Sequence, residues 1–98
     1  MTENFLIVFE QGKESFGAQS PDIPGCFAVG TTLEETRQRF IKAAEAHLQW
    51  LANEHEPVPH PVTTTVEFER GNSELSPTYY VEWQAIAMPI EARHALSA

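Results

Sequence analysis

A chain of 98 residues, 42% apolar and with ten aromatic side chains (Phe 6, Trp 2, Tyr 2), has the size for one domain with one core and is too apolar to stay disordered. Six basic residues stand against 14 acidic ones, a formal net charge of −8, and the acids are spread along the chain. A phosphate backbone, which demands clustered Lys and Arg, is therefore a poor partner, and a basic protein is a suitable one.

The N-terminal stretch Phe5 to Phe9 is apolar without a break and predicts a strand over residues 4–10 with apolar residues on both faces, Phe5, Ile7 and Phe9 on one and Leu6 and Val8 on the other. Gln11-Gly12-Lys13 is a short turn, and Glu14 to Ser20 a second, weaker strand. Pro21-Asp22-Ile23-Pro24-Gly25 then breaks regular structure, because each proline fixes φ and lacks an N–H while Gly25 takes the positive φ of a tight turn. Cys26 to Val29 is a third short strand, closed by Gly30.

Thr32-Leu33-Glu34-Glu35 matches a capping box, with Thr32 as N-cap and Glu35 as its reciprocal partner. The helix it starts runs from about Leu33 to about Asn53. Leu33, Phe40, Ala44, Leu48 and Leu51, with Ala43 and His47 alongside, form its apolar stripe. Glu56-Pro57-Val58-Pro59-His60-Pro61 stops it and forces an extended exit over residues 57–62. Thr63 to Glu69 alternates like a strand, Gly71 to Pro77 is turn-like, and Tyr79 to Met88 is a closing strand rich in aromatics. Glu91 to Ala98 is a short tail. The order β-β-β-α-β-β predicts one domain over residues 1–98, of α+β class, with one mostly antiparallel sheet and one long helix on a face.

Few residues suggest catalysis. Asp22, the one Asp of the chain, reads as a turn carboxylate accepting nearby backbone N–H groups. Mg²⁺-dependent cleavage needs several converging carboxylates, and none stand together here. Cys26 has no local base to lower its pKa and reads as a packing residue. His47, His55 and His60 fit no zinc spacing. No metal, cofactor or catalytic residue is therefore expected. Trp50 lies off the main helix stripe and reads equally as a core-edge residue or as an anchor for a partner.

Several of these segments occur together in a known family. Phe16-Gly17, Pro21-Asp22-Ile23-Pro24-Gly25-Cys26, Gly30-Thr31-Thr32-Leu33-Glu34-Glu35 and Glu56-Pro57-Val58-Pro59 follow one another as in the HicB-like antitoxins, which the chain resembles over about residues 5–60 and again in the closing strand. The resemblance implies a partial ribonuclease-H-like fold, and a role in neutralising a small basic HicA-type toxin that cleaves mRNA. Full-length members often add a DNA-binding domain, for which the residues after 90 are too few, so no direct contact with nucleic acid is expected.

On this reading the chain is a non-enzymatic, cytoplasmic antitoxin. Its lack of a membrane-length apolar run or signal-like start, and a single cysteine with no internal disulfide partner, agree with a reducing compartment. The alternative is a small oligomeric structural or ligand-binding module without a toxin. The residues expected to meet the partner are the acids Glu54, Glu56, Glu67, Glu69 and Glu74. Pro21, Asp22, Pro24 and Gly25 form the structural turn. A homodimer is expected as well, through the helix-free face or an edge strand, with Leu6, Val8, Tyr80 and Ile86 in its interface.

Overall fold

The structure, a computed structural model, describes residues 1–67 and 78–89. The five apolar residues Phe5 to Phe9 are all buried, and they make β1, Thr2–Gln11, the strand around which the rest is laid. On one side β1 pairs antiparallel with β2, Phe16–Gln19, which in turn pairs with β3, Phe27–Gly30. On the other side it pairs antiparallel, along its full length, with β4, Thr78–Ala87. The sheet has four strands in the order β3-β2-β1-β4. With the helix α1, Leu33–Asn53, between β3 and β4, the order of the described elements is β-β-β-α-β, an α+β fold.

Residues directly opposite in an antiparallel ladder share a face. Phe5, Ile7 and Phe9 therefore face α1 together with Ala18, Ala28 and Ile86, and meet Phe40, Ala44 and Leu48 in the core. Ile23 of the Pro-Asp-Ile-Pro turn plugs this core from one side, and Cys26 lies beside it. The helix stripe is the expected one with two additions, Thr36 and Ala52, which are also buried. Thr36 is tolerated there because its hydroxyl donates to the Thr32 carbonyl at 2.7 Å. Its closeness also explains Gly30: a Cβ at that position would lie 2.6 Å from the Thr36 hydroxyl and 2.9 Å from its backbone nitrogen.

Three expectations are corrected. Residues 63–67 join no ladder, although Thr63 to Glu69 has a strand pattern. The N–H groups of Val62 and Thr63 that would begin one are taken by the Asp22 carboxylate. The capping box closes one residue early. Glu35 N–H donates to Thr32 Oγ1 at 3.0 Å as expected, but the Glu35 carboxylate accepts from the Thr31 N–H at 2.9 Å rather than from that of Thr32. Lastly, Leu6, Val8, Tyr80 and Ile86 do not share a face. The β1–β4 register sets Tyr80 opposite Phe9 and Ile86 opposite Glu3, on the helix side, where Ile86 is 0% exposed. Leu6 and Val8 lie on the other face, opposite Trp83 and Val81. Both are nevertheless almost fully buried, at 3% and 5% exposure.

Candidate partner-binding surface

The Pro21 to Gly25 turn leaves β2 with Ser20 bonded to β1, its hydroxyl donating to the Leu6 carbonyl at 2.8 Å. Gly25 has φ 85, a left-handed conformation that glycine adopts without strain. The Asp22 between them does not serve its own turn. It reaches the chain that leaves the helix, accepting from the Val62 N–H at 3.0 Å, the Thr63 N–H at 2.8 Å and the Thr63 hydroxyl at 2.8 Å. Partial burial pushes this carboxyl up. The hydrogen bonds from the Thr63 backbone and hydroxyl and from Val62 outweigh that and hold it below the usual range. Asp22 is thus a latch that pins residues 62–63 across the turn.

The helix closes in a Schellman pattern: the His55 N–H donates to the Ala52 carbonyl at 3.1 Å and the Glu56 N–H to the Leu51 carbonyl at 2.9 Å. His55 has φ 59, a position that usually carries glycine. The chain then doubles back through Pro57, Val58 and Pro59. These three, with Pro24, His47 and Leu51, line a cavity of about 440 Å³. Trp50 stands next to it, 54% exposed, its ring stacked on His47 at 6.3 Å between centroids. Trp50 therefore lies at the surface of the helix end, half-covered, and not within the core.

Glu54 and Glu56 are exposed at this same end. The last turn of α1 has no basic residue, so the negative end of the helix dipole adds to their charge. The Arg37, Arg39 and Lys42 side of the helix is less basic than its sequence: Arg37 is paired with Glu82 and Glu34, and Arg39 with Glu35. Glu67 is exposed too, but on the helix-free side, beside a cavity lined by Val8, Gln19, Pro21, Val66 and Tyr79. The structure therefore brings Glu54 and Glu56 together and leaves Glu67 apart. Glu69 and Glu74 lie outside the described residues. The proline-walled cavity was not anticipated from the sequence; the alternation of Pro57, Val58 and Pro59 was its only local sign.

The Asp22 carboxylate is engaged, and burial pushes the Cys26 thiol up, away from the thiolate form. Among the described residues no group of three or more His, Cys, Asp or Glu side chains could hold a metal ion, and no helix is long and apolar enough to cross a membrane.

The sequence profile of the HicB-like antitoxins of bacterial toxin–antitoxin systems matches residues 5–92 of the chain. This chain belongs to the HicB-like antitoxin family. A UPF0150 protein of Synechocystis is 33% identical over 57 residues, covering 57% of this chain and 72% of its own length. An uncharacterised 14.9 kDa protein from the rep-hol intergenic region of Haemophilus phage HP1 is 29% identical over 55 residues, 56% of this chain and 41% of its own length. No solved structure matches. The family match takes in the Asp22 turn, the helix and β4, so the latch and the groove at the helix end both fall inside the HicB-like region.

Proposed function

We propose that this HicB-like chain is a non-enzymatic antitoxin of the cytoplasm that binds and neutralises a small basic HicA-type RNA-cleaving toxin. One observation carries the assignment of the surface: Trp50, the proline-walled groove and the acids Glu54 and Glu56 converge at the C-terminal end of α1. An exposed tryptophan beside an apolar groove is a suitable anchor site. Its acidic rim complements a surface built to hold RNA, and a protein of net charge −8 draws such a surface in from a distance. Neutralisation then follows from covering the toxin's basic RNA-binding face.

The reading is tested with a tagged full chain, by pull-down from its native host and mass measurement of what is retained, followed by binding kinetics. A small basic protein is expected, with an association rate that falls steeply as salt rises to physiological strength. Trp50→Ala should speed its dissociation, and Glu54→Lys with Glu56→Lys should slow its association. Retention of no basic protein would overturn the function. Retention with rates indifferent to both sets of substitutions would overturn the surface.

A further inference from the structure

The chain leaving α1 joins no ladder. Pro57, Pro59 and Pro61 have no N–H to donate to one. Because each proline also restricts the residue before it, residues 57–63 form an extended, semi-rigid strap. Two carboxylates tie this strap down. Asp22 accepts from the N–H groups of Val62 and Thr63 and from the Thr63 hydroxyl, and Glu3 Oε2 lies 2.7 Å from His60 Nδ1. At its start the strap is held by the helix, where the Glu56 N–H donates to the Leu51 carbonyl.

Between these fixed points lie Pro57, Val58 and Pro59, which line the groove of about 440 Å³ at the end of α1 together with Pro24, His47 and Leu51. Pro24 and Asp22 belong to the same turn. That turn is closed by its own backbone, the Ile23 N–H donating to the Ser20 carbonyl at 3.2 Å and the Cys26 N–H to the Ile23 carbonyl at 3.4 Å. Ile23, 0% exposed, anchors it in the core. The turn thus keeps its shape without the Asp22 side chain, which is left to hold the strap. One rigid turn supplies part of the groove, through Pro24, and ties down the segment that supplies the rest of its apolar wall.

We propose, on the reading of this groove as the partner's anchor site, that Asp22 is its positioning residue. Asp22 touches no partner. It sets the place of Pro57, Val58 and Pro59 relative to Pro24, so that the groove stands formed before the partner arrives. A site formed in advance lowers the ordering cost of binding. With the latch cut, the strap moves as a stiff unit, and affinity falls with the fraction of molecules in which the groove is formed. The long-range attraction between the acidic chain and a basic partner is left as it was.

The test begins without a partner, by amide exchange and NMR on the full chain. In Asp22→Ala the Val62 and Thr63 amides should exchange about ten-fold faster or more, the worth of a hydrogen bond to a charged acceptor. The resonances of His47, Leu51 and Val58 should move, while the Ala44 and Leu48 amides stay as protected as in the wild type. Binding is then measured with the basic protein that the pull-down retains. Asp22→Ala should weaken it about ten-fold, as for a groove formed in a tenth of the molecules, with the salt dependence of association unchanged. Thr63→Val, which removes only the hydroxyl tie, should give part of that loss. The double variant should bind no worse than Asp22→Ala, because both residues act through one latch. Wild-type exchange at Val62 and Thr63 in Asp22→Ala overturns the proposal, as do additive losses in the double variant. So does wild-type affinity in Asp22→Ala where Trp50→Ala binds weakly. If Trp50→Ala also binds like the wild type, or no basic protein is retained, the reading of the groove fails and this role of Asp22 falls with it. Should Asp22→Ala fail to fold, Thr63→Val decides, and wild-type affinity in that variant overturns the proposal.

Discussion

Strands β3 and β4 are both edges of one sheet, yet they are stabilised by different means. β3 has four residues and ends at Gly30, and Arg39 from the helix donates to its Val29 carbonyl at 2.9 Å. It is short, and the helix tends its outer edge. β4 has ten residues, pairs with all of β1, and is tied to the helix from its inner face. Arg37 grips Glu82 with two hydrogen bonds, at 2.5 Å and 3.0 Å, and its guanidinium lies 5.8 Å from the centre of the Phe9 ring. Where the helix guards β3 against further pairing, it anchors β4 from the inner face, and among the described residues the outward backbone groups of Val81, Trp83 and Ala85 have no hydrogen-bond partner. The lesson is that an edge strand fixed to the core by its side chains has backbone to spare for a partner.

The largest test of this contrast removes the anchor from the core. Ile86→Ala on β4 should cost about 2–5 kcal/mol, the usual range for truncating a fully buried aliphatic side chain. Val29→Ala, exposed on β3, should stay within about 0.5 kcal/mol. Urea unfolding of the two variants measures the difference, and similar losses would mean that the two edges are fixed alike.

A smaller effect is expected from the ion pair. Glu82→Gln should cost about 1–3 kcal/mol, less than for a fully buried pair because both side chains keep some contact with water. The pair also carries a pH signature. Hydrogen bonds from Arg37 hold the Glu82 carboxyl below its usual range, against the upward push of partial burial. A carboxyl lowered in the folded state contributes stability that is present above its unfolded value, about 4.3, and is lost as pH falls through the lowered folded value. The wild type should therefore lose its advantage over Glu82→Gln in acid. A gap between their unfolding curves that is constant from neutral pH downward would show that the pair does not hold β4.

The smallest effect belongs to the guarded edge. Arg39→Met should change stability by no more than about 1 kcal/mol, since the side chain is exposed and its ion pair with Glu35 is a surface one. Its mark should appear instead in self-association, because the Val29 carbonyl loses its cover. Light scattering at high concentration should show higher-order species in Arg39→Met that the wild type lacks. Their absence would mean that the shortness of β3 alone protects it.

Much of this arrangement was legible in the residues. The bounds of α1 followed from its apolar period, the Thr32 cap and the prolines after Glu56, because capping and proline act within a few residues of the chain. The five-residue apolar run of β1 announced a strand with apolar residues on both faces; its central place in the sheet came from the pairing. The Asp22 turn was legible as a turn but not as a latch, since its partners Val62 and Thr63 lie 40 and 41 positions away. The same distance hid the loss of the strand expected from Thr63.

Alternation within β4 was also visible, but which set of residues faces the helix was not. Tyr79, Val81 and Trp83 are as apolar as Tyr80 and Ile86, so hydropathy gave no preference, and only the register against β1 decided it. The sequence by itself determined what is local here: the helix and its N-cap Thr32, the turns, the apolar strand that became β1, the charge, and the short motifs of a HicB-like antitoxin. The tertiary structure alone decided what depends on pairing across distance. It assigned the two faces of β4, gave Asp22 its long-range partners, folded Pro57 to Pro59 back over Leu51 and His47, and set the helix against the outer edge of β3 but the inner face of β4. The physical reason is that caps and turns are fixed by neighbours a few bonds away, whereas register and edge are properties of a sheet, which no single strand carries.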